Sequence, residues 1–248
     1  MARIARLLGE DMRRCLVLLL VGCLLAGCAE RTSLPEPTLG PVATSGDELA
    51  TALINRSVEQ RSVRFTAEQT LQGRSTRVEG GLVRAPEGRF VSLSSPPVEL
   101  VVLPGAAFSR SQGGGWTRHE LGDPVPVVEV PVTEVADVVD PVMVVEALRS
   151  GLLMDSGDET VEGARTRRYS LQVDLRQQAD RTEDAQQRAV LLSAYDRGFI
   201  STVVVWVGPG ELPVRVEHVM KTLGGEVFES RTHHYSDWNA DIRVTAPV

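Results

Sequence analysis

Cysteine is nearly absent from this chain, and the three that occur, Cys15, Cys23 and Cys28, all fall within the first 28 of 248 residues. Everything downstream therefore lacks a thiol, which excludes a disulfide framework, a thiolate-bound metal and a cysteine nucleophile there. Lysine is almost missing too: Lys221 is the only one among 26 basic residues, against 33 acidic ones and a net charge of −7. A surface of that sign repels phosphate backbones, so nucleic acid is not a partner. Aromatic residues make up only 4% of the chain. Long apolar runs are absent as well. The longest, residues 15–25, falls short of the roughly 20 residues a membrane-spanning helix needs. There is no G-x-S-x-G, no phosphate-binding G-x-x-x-x-G-K and no dinucleotide-binding G-x-G-x-x-G. No cofactor is implied and the chain does not read as an enzyme.

The N-terminus carries the most specific signal. Arg3, Arg6, Arg13 and Arg14 precede the apolar run, and residues 25–28 read LAGC. A basic start, an apolar stretch and small residues make a secretory signal. With Cys28 at its junction, it resembles a bacterial lipoprotein signal with its lipobox. That resemblance implies diacylglyceryl transfer to the Cys28 thiol, cleavage after Gly27, and acyl (palmitate-type) anchoring to the extracytoplasmic face of the cell membrane. Cys15 and Cys23 would leave with residues 1–27. Residues 28–46, rich in Pro, Ser and Thr, read as a flexible tether, and residues 47–248 as a single domain.

Ser45 and Glu48 have capping-box spacing ahead of a helix at about 47–60. From Ser62 the period changes to two, with Val63, Phe65 and Ala67 alternating with polar neighbours as a half-buried strand does. Strands are expected at 62–71, 75–84, 88–95, 97–103, 106–110, 115–119, 158–162, 165–174, 199–207, 212–222, 225–237 and 241–246. Helices are expected at 141–153, where Asp140-Pro141 makes an N-cap and first turn, and at 176–196, stopped by Gly198. Residues 123–139, Val- and Pro-rich without a period, read as a crossing loop. Serial strands with short connections make an antiparallel meander. The fold class is thus α+β, about 10–12 antiparallel strands in a sheet that must curl, with helices covering one of its faces.

Four stretches in order, 62–66 (SVRFT), 167–174 (RRYSLQVD), 205–207 (VWV) with 211–213 (ELP), and 235–238 (YSDW) leading to 244–247 (VTAP), carry a further resemblance. Together with the lipobox and tether, they resemble actinobacterial lipoproteins of the LppX/LprG/LprA/LprF group, which have a LolA-like fold. The resemblance implies a strongly curved antiparallel half-barrel whose concave face is covered by helices, with an apolar cavity between the two layers that takes up lipids or acylated glycolipids, and envelope transport proteins as possible partners of a monomer. Family members have Gly after the Tyr-x-Asp-Trp run; here it is Asn239, a change expected to matter only for the local turn.

From alternation and helical spacing, the lining of such a cavity is expected to be Val63, Phe65, Leu100, Val102, Tyr169, Leu171, Val214 and Val216 on strands, with Val145, Leu148 and Leu152 on the helix. The same mainly aliphatic set would serve as an ordinary filled core. His233 and His234 are adjacent on a strand and point to opposite faces, so they do not share an ion; His218 reads as a satisfied core histidine. The expected function is a membrane-anchored, non-catalytic lipid carrier or chaperone of the cell envelope. The alternative is an interaction or sensor module on the same fold with a filled core.

Overall fold

The computed structural model describes residues 38–120, 123 and 132–247. The expected signal segment, Cys28, the tether as far as residue 37, and residues 124–131 of the expected loop at 123–139 lie outside the described residues.

The chain enters on helix α1 (Gly46–Val58), capped by Ser45, whose hydroxyl accepts from the Glu48 amide at 3.2 Å. The expected box is offset by one residue, because the Glu48 carboxylate takes the Thr44 amide at 2.8 Å. Strands β1 (Ser62–Leu71), β2 (Arg74–Ala85), β3 (Gly88–Ser95), β4 (Val98–Leu103), β5 (Ala106–Ser111) and β6 (Thr117–His119) follow as a meander. Next come helices α2 (Val132–Val139) and α3 (Pro141–Glu146), with a 3₁₀ turn (Ala147–Ser150). Strands β7 (Gly151–Val161) and β8 (Ala164–Val173) lead to helices α4 (Leu175–Arg181) and α5 (Ala185–Asp196). Strands β9 (Ile200–Val207), β10 (Pro213–Lys221) and β11 (Val227–Ser236) complete the order.

These strands form one open, curved, antiparallel sheet in the order β6-β5-β4-β3-β2-β1-β11-β10-β9-β8-β7. Two meanders grow outward from the middle, and β1 joins them by pairing with β11, Phe65 opposite Tyr235 and Ala67 opposite His233. This is the expected α+β architecture, with eleven strands.

Strand alternation gives the sheet two unlike faces. Toward the helices it turns Val63, Phe65, Leu82, Val91, Leu100, Tyr169, Leu171, Val205 and Val216, which join Leu49 and Leu53 of α1, Val135 and Val139 of α2, and Val145 of α3 in one buried cluster. A smaller cluster of Leu175, Ala194 and Met220, with Leu191, Phe199 and Phe228 against it, seats α4 and α5.

Several expectations are corrected. Residues 132–139 are helical, not part of a loop: Val135, Ala136 and Val139 fall on one helical stripe and are buried at 0–6% exposure, and burial overrides the low helix propensity of Val. The expected helix at 141–153 gives way to the 3₁₀ turn, and β7 begins at Gly151, so Leu152 lies on a strand. The expected helix at 176–196 is two helices, interrupted at 182–184, where Asp184 caps the second through the Gln187 amide. Residues 241–246 form no strand. That segment lies across the sheet instead, with Ile242 so close over Gly81 that a Cβ there would come within 2.8 Å of it.

Candidate functional site

Nine of the eleven residues expected to line a cavity, Val63, Phe65, Leu100, Val102, Val145, Leu148, Tyr169, Leu171 and Val216, lie between sheet and helices, each only 0–6% exposed. Surfaces that closed leave a hydrocarbon chain no ready space beside them: they pack against one another. The two others lie elsewhere. Leu152 is 69% exposed on β7, displaced from the core by the early start of that strand. Val214 is half-buried where the register of β10 against β9 shifts between Pro213 and Arg215, which takes it off the parity of Val216. A small pocket of about 30 Å³ opens between Leu49, Leu53, Tyr169 and residues 39–43, room for roughly one water. Residues 40–43, read from composition as the end of the tether, are fastened there. Arg167 donates to the Gly40 carbonyl at 2.8 Å, and the Ala43 amide donates to the Tyr169 hydroxyl at 3.2 Å.

The helical flap formed by α2, α3 and the 3₁₀ turn is held to the sheet in part by a polar cluster that the sequence analysis did not pick out. Asp140, nearly fully buried, caps α3 through the Val142 amide at 2.9 Å. The same carboxylate pairs with Arg84 of β2 and with Arg89 of β3 at 3.3 Å; Arg89 also reaches Asp137 at 2.6 Å. Asp140 was legible as an N-cap, but its partners lie 56 and 51 residues earlier, a pairing only the fold creates.

Beside that cluster, His233 Nε2 donates to the Val138 carbonyl at 3.0 Å. Burial pushes this imidazole down to about 4, against the opposing pull of that hydrogen bond. Tyr235, next on the same face, has its hydroxyl buried without a partner among the described residues, and desolvation, reinforced by Asp140, raises it well above its ordinary value. His234 points the other way, as expected, and meets Glu162 at 3.3 Å. His218 is satisfied by the Ser201 hydroxyl at 2.8 Å, and burial lowers it to about 4. Among the described residues, no group of three or more His, Cys, Asp or Glu side chains is placed to hold a metal ion.

A larger concavity lies on the sheet face away from the helices. A half-open groove of about 790 Å³ runs over β4, β3, β2, β1 and β11, between Trp116 at one end and the β7–β8 hairpin tip, with Glu162, at the other. Its walls carry outward-parity side chains such as Arg64, Thr66, Glu79, Ser92, Ser94 and Ser236. Sequence reasoning passed over this site because its residues read as an ordinary solvated strand face.

An open eleven-stranded half-barrel with a helical layer over its apolar face defines a fold class known from solved structures. No known family profile and no curated protein matches the chain by sequence. Among solved structures it is similar to the lipoprotein LppX of Mycobacterium tuberculosis, at 14% identity and a TM-score of 0.51 over 79% of this chain and 98% of that one. LprF of Mycobacterium bovis matches at 14% identity and a TM-score of 0.49, over 84% of this chain and 99% of that one. The likeness to LppX, in the group resembled by the four sequence stretches, establishes the fold.

Proposed function

We propose that this chain is a non-catalytic binding protein of the cell envelope, anchored by acyl chains on Cys28 to the extracytoplasmic face of the membrane, that takes up a lipid or acylated glycolipid between its sheet and its helical flap. One observation carries the reading. A continuous apolar sheet face is covered by short helices whose polar ties to the sheet, Asp140 with Arg84 and Arg89 and the Val138 carbonyl with His233, are few and adjacent, so the cover can lift as a unit and expose aliphatic surface. The lipobox supports the anchor, as does the fold shared with a lipoprotein. In this reading the packed interior is the unloaded, closed state. Each CH₂ group sheltered from water contributes about 0.8 kcal/mol, so two long acyl chains readily offset the displacement of a flap.

The closed packing of nine expected lining residues also favours a second reading, a filled scaffold that docks other envelope proteins. Native mass spectrometry of a secreted form beginning at Thr38, recovered from its own host and after incubation with phospholipid vesicles, separates the two. A mass increment that dissociates as lipid supports the carrier. Protein empty under both conditions, together with capture of an envelope protein by the full-length chain, supports the scaffold.

A further inference from the structure

We propose that the groove on the outer face of the sheet is a binding site for a neutral oligosaccharide, independent of any acyl ligand held under the helices. Its volume, about 790 Å³, lies within the roughly 300–1,000 Å³ of small-molecule sites. Its chemistry excludes the other candidates in turn. The walls mix polar and apolar surface, so an acyl chain finds no continuous dry surface there. The floor strands β4, β3, β2, β1 and β11 are interior strands, hydrogen-bonded on both sides, so an extended peptide has no free edge to pair with.

Charge disfavours anions. The groove's two arginines are already engaged, Arg64 with Asp237 at 3.5 Å and Arg77 with Glu68, while Glu162 meets His234 and Glu99 meets Arg110 at 2.7 Å. What is left facing the groove suits a polyol. The hydroxyls of Thr66, Ser92, Ser94 and Ser236 and the carboxylate of Glu79 line it. None of these has a side-chain partner in the hydrogen-bond and ion-pair network of the described residues. Hydroxyls that both donate and accept, beside one acceptor carboxylate, match the alternating donors and acceptors of a sugar ring. At the end of the groove stands Trp116, its indole held by the Arg110 guanidinium 4.7 Å from the ring centroid. An indole there offers a flat apolar surface to the C–H face of a pyranose.

The test titrates the full-length lipidated protein, in lipid nanodiscs free of sugar detergent, with the tetrasaccharides of N-acetylglucosamine, glucose, mannose and arabinose, followed by calorimetry and tryptophan fluorescence. At least one is expected to bind saturably. Trp116→Ala is expected to weaken that binding about tenfold, and Glu79→Gln severalfold, with thermal melting unchanged in both. No saturable binding by any of the four up to about 10 mM, or binding that survives both substitutions intact, overturns the proposal. So does preferential binding of an anionic ligand such as inorganic phosphate.

Discussion

At the scale of single residues, the histidines show how much chemistry alternation reveals. Adjacent positions on a strand set His233 and His234 on opposite faces, and the structure places His233 inward and His234 outward. What alternation did not reveal is where the buried partner of His233 comes from, because Val138 lies 95 residues away on a helix that composition had disguised as loop. The depressed pKa has a defined consequence. His233 is neutral in the folded protein down to about 4, whereas the unfolded chain binds its proton near 6.5. Between those values the unfolded state holds more protons, so stability is complete above about pH 6.5 and is lost as pH falls toward 4. His233→Gln keeps a donor for the Val138 carbonyl without a titrating group. Urea unfolding at pH 7 and pH 4.5 should show the variant losing less stability than the parent on acidification, by about 2 kcal/mol.

Asn239 is the residue whose role was underestimated. It has φ +62°, which explains why glycine suits the position, but its side chain adds what glycine lacks. Oδ1 accepts from the Arg61 amide at 2.8 Å and Nδ2 donates to Gln60 at 2.5 Å, pinning the last strand's exit to the first strand's entry. Cys28 belongs to this scale as well. A Cys28→Ser chain has no thiol to acylate, and should appear in the soluble fraction after carbonate washing of membranes, where the parent sediments; retention of the variant with the parent would contradict acyl anchoring.

At the scale of elements, strands were the more legible half. Val63, Phe65 and Ala67 on β1, and Tyr169, Leu171 and Val173 on β8, alternate in the sequence and are buried in the structure. Helices were less so. Residues 132–139 contain four valines, which local propensity assigns to strand or coil; only the presence of an apolar sheet face opposite Val135 and Val139 makes the helix worth forming. Contact between elements also decides the N-terminus of α1. Gly46 sits so close to the 3₁₀ turn and β7 that a Cβ would meet the Leu148 carbonyl at 2.2 Å and that of Gly151 at 2.5 Å. Both obstacles are backbone, so they cannot swing aside. Gly46→Ala should therefore push α1 off its seat and cost about 1–3 kcal/mol, read as a lower thermal midpoint, even though Ala is the better helix former.

At the scale of the whole molecule, the order of strands was beyond local reasoning. Local pattern predicts meanders, but the joining of β1 to β11 across the length of the domain follows from burying both meanders' apolar faces under one set of helices. Whether that interior opens was likewise invisible, since the same Val and Leu side chains suit a cavity and a filled core. The flap gives a way to decide. If lipid enters by lifting α2 and α3, the apparent affinity is the intrinsic affinity scaled by the fraction of molecules that are open. Arg89 joins β3 to the flap through Asp137 and Asp140, and is itself partly exposed, so Arg89→Gln weakens the latch while leaving Arg84 on Asp140. A loss of about 1 kcal/mol in closure multiplies a small open fraction about fivefold. For a carrier, the variant should melt slightly lower yet bind a fluorescent phospholipid several times more tightly than the parent. For a filled scaffold the melting point falls alike but lipid binding does not appear, because nothing under the flap was shaped to receive it.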